Sequence, residues 1–359
     1  MNTTQTHLMY IAIIMFSTAS IWIAENVNMG IIHIEGIRKR HTTTLARIIF
    51  IPIAYLILLI PLLKRTCGID TPVYYFDYSH DRIQSFDIMF SYLLMYLHRY
   101  ILDPKVGLGI VSVITVVLSV SSIIRLRERI DVTLAFFAYV TCIYFFSYNY
   151  MRMLFAVSFV FIGYSFCIND KRKLAIIPFA IAPLFHLSAI IVLIIHIALL
   201  NLKKHKGIVI TLGVIGLLAF MAKPMYFFSL INVERYSSQI IINQHVSLGI
   251  GTIVRMIPIA YFLWEYNKEY RQDYRYMWLV VFTFANVIFS FLGYFVGSAS
   301  RISNAILVFQ IIYAVPLFVK EDENIERRET TRVMFLIYCI WMYYIISKNF
   351  ETMAIVPYY

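Results

Sequence analysis

Apolar runs of membrane-spanning length alternate with short polar clusters along the whole chain. The runs fall near 8–25, 44–63, 106–124, 131–147, 151–168, 174–185, 187–201, 207–222, 247–264, 276–298, 302–319 and 333–347. A helix needs about 20 apolar residues to cross about 30 Å of hydrocarbon. The pattern therefore predicts an all-α polytopic membrane protein with about twelve transmembrane or half-membrane helices. Two stretches depart from the rhythm. LAIIPFAIAPLFHLSAIIVLIIHIALL is too long for one span and short for two, and reads as a hairpin of short helices turning near Pro183–His186. SFDIMFSYLLMYLHRYIL, over 85–102, is apolar yet carries Asp87, His98 and Arg99, which predicts an amphipathic helix on the outer face. No internal repeat relates the two halves, which weakens a repeat-built transporter.

Composition fits this picture. Hydrophobic residues make up 60% of the 359 and charged residues 14%, against about 25% charged in a soluble domain, so a soluble enzyme is excluded. The net charge of +11 would suit a nucleic-acid partner, but its placement does not. Most basic residues fall in alternate loops: Arg38–Arg40, Arg125–Arg129, Lys171–Lys173, Lys203–Lys206, Lys268–Arg275 and Lys320–Arg332. By the positive-inside rule these loops are cytoplasmic, and no nucleic-acid partner is expected. Both termini and the two longer loops, 64–104 and 223–246, then face outward, and 1–359 reads as one integral membrane domain. The N-terminal MNTTQTH lacks the basic stretch of a signal peptide, so the first run is expected to stay as a span. Cys67, Cys142, Cys167 and Cys339 show no CxxC spacing and read as buried small hydrophobes.

Four arginines depart from the cytoplasmic pattern. Arg65 opens the first long loop, Arg152 starts a span in YNYMRMLFAV, Arg255 lies inside GIGTIVRMIPIAYF, and Arg301 opens a span in GSASRISNAILVF. An arginine near the bilayer interior costs several kcal/mol unless it is paired or wet. Internal salt bridges are one account. The outward acids are few (Asp70, Asp77, Asp81, Asp87, Asp103, Glu234 and Glu351), so an anionic ligand is the other, with phosphate matching the guanidinium fork. His186, at the predicted hairpin turn, is either a structural hydrogen bonder or a donor and proton carrier at that ligand; His196 reads as structural. The loop GIDTPVYYFDYSHDRIQSFD is rich in acids and rings, including Tyr74. It suits either an interfacial aromatic belt or sugar stacking with carboxylates on hydroxyls. No metal-ligand cluster or cofactor motif occurs, so none is expected.

In order, these motifs are Gly68, Asp70, Thr71 and Tyr74; Phe86, Asp87 and Phe90; Asn149 and Arg152; Phe185, His186, Ser188 and Ala189; Arg301; and Pro357–Tyr358. The series resembles the EpsG/Wzy-type polysaccharide polymerases of bacteria. Asp87 stands where that family more often has Glu followed by Pro, and Met153 where Gln usually follows the arginine. The resemblance implies an enzyme of the bacterial cytoplasmic membrane whose site faces the periplasm or exterior. There it would join oligosaccharide repeat units carried on undecaprenyl pyrophosphate. The growing glycan would leave its lipid pyrophosphate for the non-reducing end of the next lipid-linked unit, without nucleotide sugar or metal. Arg152, Arg301 and Arg255, with Arg65 and Tyr74 in support, would bind the pyrophosphate and substrate. Asp87, Asp70 or His186 would serve as base. The partners implied are the lipid-linked oligosaccharide, membrane lipid and a separate chain-length regulator protein. An O-antigen ligase shares substrate and topology, and a lipid-linked oligosaccharide flippase shares the span number.

Overall fold

Short polar residues decide where five of the described helices begin. Asn2 and Gln5 form a reciprocal capping box, and Thr44, Asp103, Asp131 and Asn324 each accept a first-turn backbone N–H, meeting donors that lipid would leave unsatisfied. The computed structural model describes residues 2–27, 31–35, 40–65, 67–68, 70–80, 87–202, 250–295, 312–348, 350–351 and 353–355; at 31–35, 40–43, 202, 250–256, 258 and 289–295 it describes the backbone alone.

The chain is helical, as expected, with one two-stranded hairpin added. Helix α1 spans Thr3–Asn26. The antiparallel strands β1 (Ile31–Glu35) and β2 (Arg40–Thr44) pair with Ile31 opposite Thr44. Next come α2 (Leu45–Lys64), α3 (Asp70–Ser79), α4 (Ile88–Tyr100), α5 (Pro104–Ile124), α6 (Val132–Cys142), α7 (Met151–Ile168), α8 (Ile176–Phe185) and α9 (Ile190–Leu202). The later helices are α10 (Ile250–Tyr270), α11 (Tyr274–Phe295), α12 (Val315–Glu321) and α13 (Ile325–Ser347). Among the described residues five helices, α1, α2, α5, α7 and α13, are long and apolar enough to cross a membrane. The runs near 207–222 and most of 302–319, and the loop 223–246, lie outside the described residues, so the total of about twelve is not reached within them.

Three sequence expectations need adjusting. The strand hairpin adds β structure, in the basic loop around Arg38–Arg40, to a chain expected to be all-α. The run 131–147 is not one helix: α6 ends at Cys142 and a 3-10 turn, Tyr144–Tyr148, leads to Asn149. The loop GIDTPVYYFDYS is largely helix α3, which turns Tyr74 and Tyr78 inward and leaves Val73 and Phe76 exposed. The expected short-helix hairpin is present as α8, an extended His186, a 3-10 turn Leu187–Ala189, and α9.

Small residues set the closest packing. Helix α5 turns Gly107, Ser112, Thr115, Ser119 and Ser122 into the bundle and packs on α7, and small faces let helices approach closely where no hydrophobic drive separates protein from lipid. A Cβ on Gly163 of α7 would come within 2.2 Å of the Phe179 ring of α8. Buried rings of Tyr139, Phe161, Tyr164, Trp278 and Tyr313 form the core. Tyr313 Oη donates to Phe161 O at 3.1 Å. Large apolar side chains on α1, α2 and α13 remain exposed, the outward surface a helix needs against lipid.

The bundle has two chemically distinct ends. One gathers the basic loops. There Glu25 meets Arg47 at 3.0 Å, Asp131 meets Arg332 at 3.1 Å, Arg275 bridges Asp273 and Glu321, and Arg327 joins Asp322 to Glu269. The opposite end holds Arg65, Asp87, Arg152 and His186.

Candidate functional site

The site begins with the start of α4. Asp87 is its N-cap residue but makes no side-chain cap; its carboxylate turns instead to groups from two other elements. Arg152, in the first turn of α7, lies 3.2 Å from Asp87 Oδ2, and His186 Nδ1, at the α8–α9 turn, lies 3.3 Å from the same oxygen. The Leu187 backbone N–H also favours the charged carboxylate. Because a carboxylate can only accept, His186 donates through Nδ1, which puts the basic lone pair of the neutral ring on Nε2. Burial pushes the Asp87 carboxyl up, but the His186 hydrogen bond and the Arg152 and His186 charges outweigh it and hold the carboxyl below the usual range. The side chains of Asp87 and Arg152 stay 25% and 17% exposed, so the cluster is reachable, whereas that of His186 is 6% exposed.

Backbone geometry reinforces the arginine. Helix α7 is 18 residues long, and its N-cap, Tyr150, supplies no side-chain acceptor. The positive end of the helix dipole and its first N–H groups therefore coincide with Arg152, an arrangement that favours an anion.

A second layer supports the first. Arg65 is buried and donates through Nη1 to Ser147 O at 2.7 Å, so it holds the 3-10 turn that feeds α7. Asn149 Oδ1 accepts the Asp70 N–H at 3.0 Å, and Thr71 Oγ1 donates to Tyr148 O at 3.3 Å. Gly68 lies at φ +104°, with its N–H on Ala354 O at 2.7 Å. A Cβ there would meet Tyr148 O at 2.2 Å. The Gly-x-Asp-Thr stretch is thus a clasp binding the α2–α3 loop to the turn before Arg152. Its third partner is the C-terminal segment, where Phe350 and Ile355 are fully buried and Tyr10 Oη donates to Ile355 O at 2.7 Å.

Of the candidates named from sequence, Asp87, Arg152 and His186 come together directly. Asp70 is half-buried at the start of α3, one clasp away. Tyr74 packs into the core against Phe90 rather than standing open as a sugar platform. Arg65 serves the chain's own carbonyl. Arg255 lies on α10, its side chain undescribed, and Arg301, Phe86 and Pro357–Tyr358 lie outside the described residues. His196 is structural, with Nε2 2.9 Å from Arg172 O and its ring against Phe179 and Trp278. All four cysteines are free and buried. The C-terminal clasp was missed. Its sequence signal is the pair Phe350 and Ile355, apolar residues in a segment past the last predicted span.

The architecture is that of a multi-pass helical membrane protein with an arginine–aspartate–histidine cluster at one end of its bundle. The chain belongs to the EpsG family, whose model matches residues 48–359, and is a polysaccharide-polymerase-type membrane protein. No curated protein and no solved structure matches it.

Proposed function

We propose that the protein extends a glycan at the outer face of the bacterial cytoplasmic membrane, taking the growing chain from undecaprenyl pyrophosphate and placing it on the non-reducing end of the next lipid-linked repeat unit. The observation that carries this reading is the convergence of Arg152 and His186 on one carboxylate oxygen of Asp87, from three elements far apart in sequence.

The chemistry follows from the roles such groups can take. The acceptor hydroxyl oxygen attacks the anomeric carbon of the donor sugar. The bond from that carbon to the pyrophosphate oxygen breaks, and the electron pair leaves with the pyrophosphate. Charge develops on that leaving oxygen, where Arg152 and the α7 N-terminus supply preorganised positive potential. The hydroxyl proton passes to a base. Asp87, with its lowered pKa, is a weak base and a good anchor. His186, oriented by Asp87 through Nδ1, is suited to take the proton on Nε2. Arg301 and Arg255 are assigned to the pyrophosphate with Arg152. Arg65 and Asp70 support the turn that presents Arg152. The basic end, at the opposite pole, is the cytoplasmic one by the positive-inside rule.

The test is a deletion in the source strain, complemented with wild type, Arg152→Ala, Arg301→Ala or His186→Ala, with surface polysaccharide read on a gel. A single repeat unit on the terminal acceptor, with the ladder gone, supports polymerisation. Complete loss of surface sugar points to a flippase. A ladder held on the lipid carrier points to a ligase, and an unchanged pattern overturns the reading.

A further inference from the structure

At the pole opposite the Asp87 cluster, the ends of α1, α2, α5, α6, α12 and α13 surround a cavity of about 440 Å³ whose walls are charged. Two of its basic residues are already neutralised: Arg47 by Glu25, and Arg332 by Asp131 and Glu329. Arg328 lies beside Glu329 at 3.3 Å. Arg127 and Lys320 also line the cavity. Among the described residues neither has an acidic partner; Arg127 donates only through Nε to Ile124 O, leaving the outer edge of its fork unspent. The opposing acid, Glu128, is on the exposed rim. One buried donor on the wall, Arg47 Nε, has no hydrogen-bond partner among the described residues, and such a group normally meets a ligand or ordered water. The cavity mouth adjoins exposed apolar side chains, Trp22 one turn before Glu25 and Leu45, Ile48 and Ile49 flanking Arg47.

We propose that this cavity binds the phosphate of an anionic phospholipid headgroup, with Arg127 and Lys320 as its contacts and the acyl chains lying along Trp22, Leu45 and Ile48. A phosphodiester matches a guanidinium edge backed by an ammonium. Basic pockets between helices at the cytoplasmic surface are suited to such lipids, and the apolar flank is what a soluble phosphate would not need. The site is separate from the Asp87 cluster and does not depend on the reaction assigned to it.

The full chain, purified in mild detergent, is unfolded thermally with added phosphatidylglycerol, phosphatidylcholine or inorganic phosphate. Binding to the folded state alone raises the midpoint in proportion to the logarithm of ligand excess. Phosphatidylglycerol should shift it upward by on the order of a few degrees, and phosphatidylcholine and inorganic phosphate should not. The Arg127→Gln/Lys320→Gln pair should lose that shift, and Lys105→Gln, at the other pole, should keep it. Lys320→Gln alone removes an exposed side chain with no structural hydrogen bond among the described residues, and should shrink the shift even if the double variant folds poorly. Equal shifts from both lipids, a full shift from inorganic phosphate, or an undiminished shift in Lys320→Gln and the double variant would each overturn the proposal.

Discussion

At the scale of single residues, Asp87 was legible as a charge out of place in an apolar stretch, but its role was not. Sequence separated it from Arg152 and His186, and the packing of α4 and α7 on the α8–α9 hairpin joins them. Asp87→Asn keeps a residue suited to the helix start while removing the charge that holds both partners. We expect insertion to be preserved and chain extension to fall by about ten- to a hundredfold, the loss of one charge-assisted contact. Extension at the wild-type rate would free Asp87 from any positioning role. The pH dependence has a definite sign. A carboxyl whose folded pKa is lowered contributes stability fully above its unfolded value of about 3.9, and the contribution fades as pH falls through the lower folded value. Thermal unfolding of wild type and Asp87→Asn should therefore differ at neutral pH and converge only below about pH 4. Convergence near pH 6 would mean that the carboxylate is not held down by Arg152 and His186. Gly68 was legible as a motif glycine, and its reason is now physical: positive φ and a carbonyl where a Cβ would sit. Gly68→Ala should cost about 1–3 kcal/mol from backbone strain, with the clash at Tyr148 O added, whereas Ala354→Gly, at φ 50°, relieves a left-handed alanine and should be neutral or stabilising. Paired thermal melts separate the two.

At the scale of elements, hydropathy located most helices because each buries one face and shows lipid another. The hairpin around His186 was readable from length alone: too many apolar residues for one span, with Pro183 and His186 at the turn. The break after Cys142 was not, because Ile143–Tyr150 is as apolar and aromatic as a helix; its 3-10 turn is imposed by tertiary contacts, Tyr144 Oη on Leu58 O at 2.6 Å and Arg65 on Ser147 O. Helix α3 was hidden for the opposite reason, since acids and Tyr in a loop suggest a surface, and only packing shows that Tyr74 and Tyr78 point inward. The C-terminal clasp gives this scale its prediction. Phe350 is fully buried against Tyr10, Phe145 and Tyr343, so Phe350→Ala should destabilise by about 3–5 kcal/mol. Ile340→Ala on the exposed face of α13 should change stability by less than about 0.5 kcal/mol. Equal losses in the two variants would show that the segment is not part of the packed core.

At the scale of the molecule, the two poles carry opposite assignments, and everything said of substrate side depends on which pole faces out. Basic loops, ion-pair networks and the charged cavity lie at one; the Asp87 cluster and its clasp lie at the other. The four native cysteines are buried, so a wild-type background should be nearly silent to a membrane-impermeant maleimide, and single added cysteines can report each pole. Ser79→Cys, at the exposed end of α3, shares its pole with Asp87; Glu323→Cys, exposed between α12 and α13, shares its pole with Arg327 and Asp322. The positive-inside pattern predicts labelling of Ser79→Cys in cells whose cytoplasmic membrane is intact, and of Glu323→Cys only after permeabilisation. The reverse result would put Asp87, Arg152 and His186 in the cytoplasm. A polymerase drawing lipid-linked units from the outer leaflet could not then use them, and the flippase reading would gain, because a substrate bound at the inner face is what a flippase must start from. Labelling of both sites without permeabilisation would mean a chain that is misfolded or misinserted, which labelling of the native fold after purification would reveal.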